Sequence, residues 1–125
     1  MAWEAERGVD NFKPQSLANT AWAFATLGQL DVQLFTALAR DTECRIGNFN
    51  PYGLANIAWA FATLGQPDAQ LFAVLAMEAR RRIGNFTAQG LANTAWAFVM
   101  LGQPDAQLFL TLAREAKRHA GNFNP

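Results

Sequence analysis

The chain reads as all-α, an α-solenoid of 37-residue helical hairpin repeats, and three observations predict it. The first is periodicity. Asn-Phe recurs at Asn11-Phe12, Asn48-Phe49, Asn85-Phe86 and Asn122-Phe123, each step 37 residues. Trp22, Trp59 and Trp96 keep that step, as do Gly28, Gly65 and Gly102, and the second and third copies are identical at roughly two-thirds of positions. A fixed period of about 20 to 50 residues marks stacked repeats. The second is helical spacing of apolar residues within each copy. The third is that no segment alternates with period 2, so no sheet is expected.

These repeats set the boundaries. Residues 11–47, 48–84 and 85–121 form repeats 1, 2 and 3. Residues 1–10 match the end of a second helix, since Ala2 to Val9 align in register with Ala39 to Ile46 and Ala76 to Ile83. Residues 122–125 open a fourth unit. Neither end carries a polar cap of the kind that keeps arrays soluble. The chain is therefore expected to be a segment of a longer array, and its apolar ends to favour self-association.

Repeat 2 shows how each element arises. Asn50 can cap the free N–H groups of a helix start, and Pro51 fits the first helical position because its missing N–H costs nothing there. Leu54, Ala55, Ala58, Phe61 and Ala62 then mark one helical face up to Leu64, and Gly65 supplies a left-handed stop. A second helix follows Pro67, with Asp68 in its first turn complementing the macrodipole. Leu71, Phe72, Leu75, Ala76 and Ala79 form its stripe, Arg80, Arg81 and Arg82 crowd its last turn, and Gly84 closes it. Two helices of about 14 to 16 residues per unit are expected. Alanines at Ala21, Ala23, Ala58, Ala60, Ala95 and Ala97 allow close approach of the first helices. Phe49 and Phe86 are expected to fold back onto the stack.

Composition narrows the function. Half the residues are apolar, and ten basic residues balance ten acidic ones, so overall charge selects no partner. The single cysteine, Cys44, excludes an internal disulfide framework and fits a reducing compartment. No apolar run is long enough to cross a membrane, and no Arg- and Ser-rich transit peptide is visible. His119 and Cys44 stand alone, without a recurring partner, so no zinc site, Cys/His nucleophile or cofactor is expected. The chain is not expected to be an enzyme.

Binding residues are sought instead on the outer face of the first helices. Gln15, Asn19, Trp22 and Thr26 form one stripe; Tyr52, Asn56, Trp59 and Thr63 repeat it, as do Gln89, Asn93, Trp96 and Met100. Amides at Asn19, Asn56 and Asn93 could bond base edges or a peptide backbone, or could fix the register of stacking. The tryptophans could pack between hairpins or stack on bases. Arg45, Arg80, Arg81, Arg82, Arg114, Lys117 and Arg118 gather near the ends of second helices, where a ridge could hold phosphates or merely answer the helix dipole.

The core Leu-Ala-Asn-Thr-Ala-Trp-Ala-Phe-Ala-Thr-Leu-Gly at 17–28, with its copies at 54–65 and 91–102, resembles the octatricopeptide and heptatricopeptide repeats. It also looks like the helical repeats of Fas-activated serine/threonine kinase-like proteins, which often end in a RAP domain; none is present here. The resemblance covers nearly the whole chain. It implies an α-solenoid that binds single-stranded RNA in a mitochondrion or chloroplast and acts in transcript stability, processing, translation or ribosome assembly. It further implies base-facing roles for Gln15, Asn19, Tyr52, Asn56, Gln89 and Asn93. The expected phosphate contacts are Arg45, Arg80, Arg81, Arg82, Lys117 and Arg118. The alternative is a scaffold that holds a peptide or protein in its groove.

Overall fold

The computed structural model describes residues 12–123, with side chains described as far as residue 120. The expectations for residues 1–10, for Asn11 and for Asn124-Pro125 fall outside the described residues. Among those described, the chain is all-α, with no strand. Six helices run in order: α1 Pro14–Thr26, α2 Val32–Cys44, α3 Pro51–Thr63, α4 Ala69–Arg81, α5 Ala88–Met100 and α6 Ala106–Phe123. The first five have 13 residues each, slightly shorter than expected, and α6 has 18. Short 3-10 turns, Ile46–Asn48 and Ile83–Asn85, join one hairpin to the next.

Local chemistry explains the ends. After α1, α3 and α5, Gly28, Gly65 and Gly102 take φ of 67°, 65° and 61°, a conformation glycine adopts without steric cost. Behind Gly65, the Gln66 N–H donates to the Phe61 carbonyl at 2.8 Å and the Gly65 N–H to that of Ala62 at 3.0 Å. This paired closure satisfies carbonyls the helix would otherwise leave free. Asp31 and Asp68 sit one place earlier than a first-turn residue: they are N-caps. Each accepts, through Oδ1, a backbone N–H at 3.0 Å, from Leu34 and Leu71 respectively; Asp105 does the same for Leu108 at 2.9 Å.

One sequence expectation is corrected. Gly84 does not close α4, which ends at Arg81; Arg82 caps it and the 3-10 turn carries Gly84 without a positive φ. α6 runs on through Asn122 and Phe123. The equivalent Phe49 and Phe86 are 2% and 3% exposed beneath the start of the following first helix.

Packing places first helices in one layer and second helices in another. α1 packs along α3 and α3 along α5, more intimately than any other pair, while α2, α4 and α6 line up behind. Small residues permit the close approach: Ala18, Ala21, Ala58, Ala60 and Ala97 are all buried. Gly53 shows why glycine enters here. A Cβ on Gly53 would meet Asn50 Oδ1 at 3.1 Å and the Phe49 ring at 3.4 Å, because Asn50 folds back to accept the Gly53 N–H at 2.7 Å. Thr87 caps Gly90 in the same way at 3.0 Å. In repeat 1 the cap is Lys13, which makes no such bond, and Ser16 stands where the glycine would be. Between the layers, Phe35 meets Phe61 edge-on at 4.9 Å and Phe72 meets Phe98 at 4.8 Å. Each fully buried phenylalanine contributes about 1.5–3 kcal/mol by removal from water.

Candidate ligand-binding face of the first helices

Where two first helices meet near their N-termini, a cleft opens, and it opens again at the next joint. The α1–α3 cleft, about 270 Å³, is lined by Gln15, Ala18, Asn19, Phe49, Tyr52 and Gly53, among others. The α3–α5 joint has the same positions one repeat on in Tyr52, Ala55, Asn56, Gln89 and Gly90, which together with Trp22, Trp59, Thr87 and Asn93 line a cleft of about 400 Å³. A smaller neighbour of about 200 Å³ takes Asn50, Pro51, Asn85, Phe86 and Thr87, the counterparts of the remaining lining residues of the first cleft. Tyr52 belongs to all three clefts and is 70% exposed, so its ring is open to a ligand on either side.

All six base-facing candidates therefore fall on these clefts, but not equally. Gln15, Asn19, Tyr52 and Gln89 are exposed, Asn93 is half-buried, and Asn56 is only 8% exposed. An evenly exposed amide ladder is thus absent: Asn56 lies between two flanking first helices, whereas among the described residues Asn19 has such a neighbour on one side only. Deeper along the stripe, Trp22 and Trp59 stack with centroids 6.5 Å apart and planes at 30°. Trp22 and Trp96 remain 46% and 41% exposed. Trp22 thus packs against Trp59 and still shows a face to solvent.

The basic residues are arranged differently from a free ridge. Arg45 pairs with Asp41, and Arg81 and Arg82 both pair with Glu78, at 2.6 and 2.8 Å. Arg118 pairs with Glu115 at 2.9 Å. The acids Asp41, Glu78 and Glu115 occupy one position in the three repeats, so each second helix carries its own carboxylate one turn before its cations. Glu78 raises the Arg81 pKa above its ordinary value, first by hydrogen bonding and then by charge. A raised cation pKa stabilises below the unfolded value and is lost only as pH climbs through the folded one, so neutral pH leaves this pair intact. Arg80 reaches across to the next hairpin, to Asp105 at 3.5 Å. Lys117 alone of the six phosphate candidates has no ion pair among the described residues.

Sequence reading missed Arg40, which bridges to Asp68 and Gln70 of the next hairpin at 2.5 and 2.9 Å. The available signal was the triplet Asp-x-Gln, repeated at 31–33, 68–70 and 105–107. Capping explains its aspartate, but a recurring glutamine two residues on calls for a partner. No group of His, Cys, Asp and Glu that could hold a metal occurs among the described residues, and no helix there is long and apolar enough to cross a membrane. Comparison with protein-family models and with curated proteins found no match to this chain.

Proposed function

We propose that the chain is a non-enzymatic segment of an α-solenoid that binds single-stranded RNA along its first helices, one nucleotide near each joint. The carrying observation is the cleft that recurs with the repeat, with amide side chains around it and an exposed aromatic ring between neighbours. A base presents a face to stack and an edge of donors and acceptors. Tyr52 offers the first, and Asn19, Gln89 and Asn93 offer the second. The resemblance to organellar helical repeats points to RNA metabolism in a mitochondrion or chloroplast. Three repeats would engage about three nucleotides, so affinity for short RNA is expected to be weak.

Charge modifies this reading. With Arg45, Arg81, Arg82 and Arg118 leaning on carboxylates of their own helices, few cations are free to displace counterions. The salt dependence is therefore expected to be shallow, matching one or two phosphate contacts. The same neutralisation favours the second reading, a scaffold for an uncharged peptide segment.

Titration of fluorescent single-stranded RNA pools at low and moderate salt separates the two. Binding to single strands but not duplex is expected, with Tyr52→Ala weakening it by about 1–3 kcal/mol, the worth of one stacked base. Equal binding of duplex, or none at low salt, overturns the RNA proposal and leaves the peptide scaffold.

A further inference from the structure

Of the amides on the first-helix stripe, Asn56 alone is buried. It stands on α3, which has a first helix on either side, and only 8% of it is exposed. A carboxamide carries an acceptor oxygen and two N–H donors, and in such a setting these need partners other than bulk water. None of the side-chain hydrogen bonds among the described residues involves Asn56. A bond to α1 or α5 would let it fix the register of stacking, and among the described residues it makes none. What Asn56 lines instead is the α3–α5 cleft, with Tyr52 one turn before it and Trp59 one turn after.

The rest of that cleft narrows the choice of ligand. Gln89 and Asn93 bring two more amides from α5, and Trp22, Tyr52 and Trp59 bring aromatic rings. No Arg, Lys, Asp or Glu lines it among the described residues. Arg and Lys are the side chains that pair with the two acceptors of guanine, and Asp and Glu take the amino group of cytosine. An amide matches adenine, whose N6 amino group and N7 set a donor beside an acceptor. Uracil carries an acceptor and an N–H as well, but its single ring gives Tyr52 less to stack on.

We propose that the α3–α5 cleft is an adenine-selective subsite for the bound strand, with Asn56 as its specificity-determining residue. The inference rests on the RNA reading above. Asn56 Oδ1 accepts from the adenine amino group and Nδ2 donates to the neighbouring ring nitrogen, while Tyr52 stacks on the ring. A base that fills the cleft without pairing shuts out water and leaves the buried amide unsatisfied, and that penalty is what selects.

Fluorescence anisotropy of the whole chain with short labelled RNAs tests this. Oligo-adenylate should bind about tenfold more tightly than oligo-cytidylate, oligo-uridylate or a mixed guanine–uracil strand. Asn56→Leu nearly keeps the size of the side chain and removes both hydrogen-bonding functions. Adenylate should then fall to the level of the other strands, with helical content by circular dichroism unchanged. An Asn56 that serves packing alone would alter stability and leave the ratio between bases as it was. The ratio measured on the parent chain needs no variant, so it decides even if Asn56→Leu folds poorly. Absence of binding by every strand overturns the RNA reading and this subsite with it. Equal binding of all four strands, or an adenine preference that survives Asn56→Leu, overturns the subsite alone.

Discussion

Repeat 2 and repeat 1 are spelled with nearly the same residues, yet their first helices live in different surroundings. Ala60 is fully buried and its counterpart Ala23 is exposed; Phe61 is 2% exposed and Phe24 half-buried; Asn56 is buried and Asn19 is not. α3 is flanked by α1 and α5, whereas among the described residues α1 has such a neighbour on one side only. What differs is the company each helix keeps, and the difference teaches that in stacked hairpins burial belongs to the joint. A residue's own sequence neighbourhood sets which way it points; the adjoining hairpin decides whether it is covered.

The largest expected test of that contrast is a pair of truncations. Phe61→Ala removes a ring packed on Phe35 at 4.9 Å inside the middle of the stack and should cost about 3–5 kcal/mol. Phe24→Ala removes the same ring where it is half-covered and 6.4 Å from Phe35, and should cost about half as much. Urea unfolding monitored by circular dichroism gives both. Equal losses would mean that the outer hairpin is as enclosed as the inner one, contrary to the burial pattern.

Enlargement gives the complementary contrast at smaller scale. Ala60→Leu forces a larger side chain into the closely packed α1–α3 joint, where the alanine is wholly buried. Overpacking of that kind should destabilise by about 1–3 kcal/mol. Ala23→Leu places the same atoms on an exposed face and should change stability by less than about 0.5 kcal/mol. A comparable loss at Ala23 would place a covering element over that face of α1.

The same contrast explains how much was legible beforehand. Helix existence and type followed from spacing, and Asn50-Pro51 and Gly65 fixed several ends, because those signals act within one turn of chain. The stripe Leu54, Ala55, Ala58, Phe61 and Ala62 is buried as read, but so are Asn56, Ile57 and Ala60. A one-faced reading suits a helix with one neighbour and undercounts one that has two. For the same reason Asn56 reads as exposed by analogy with Asn19. Arg45, Arg80, Arg81 and Arg82 stand at helix ends as read and Arg118 lies inside α6, but the carboxylates Asp41, Glu78 and Glu115 that pair with them depend on side-chain reach, which composition does not reveal. Arg40 and Arg80 clasp the equivalent triplets from positions one turn apart, so no strict period marks them.

That clasp supplies the smallest and most discriminating test. Asparagine caps a helix about as well as aspartate, so Asp→Asn keeps the cap and removes the charge. At Asp68 the lost charge is the one that holds Arg40, and the cost should reach about 0.5–1 kcal/mol at low salt and shrink as salt rises. At Asp31, which has no ion pair among the described residues, the same change should be close to neutral in dilute solution. Thermal unfolding of both variants at two ionic strengths makes the comparison, because salt acts on the pair and not on the cap.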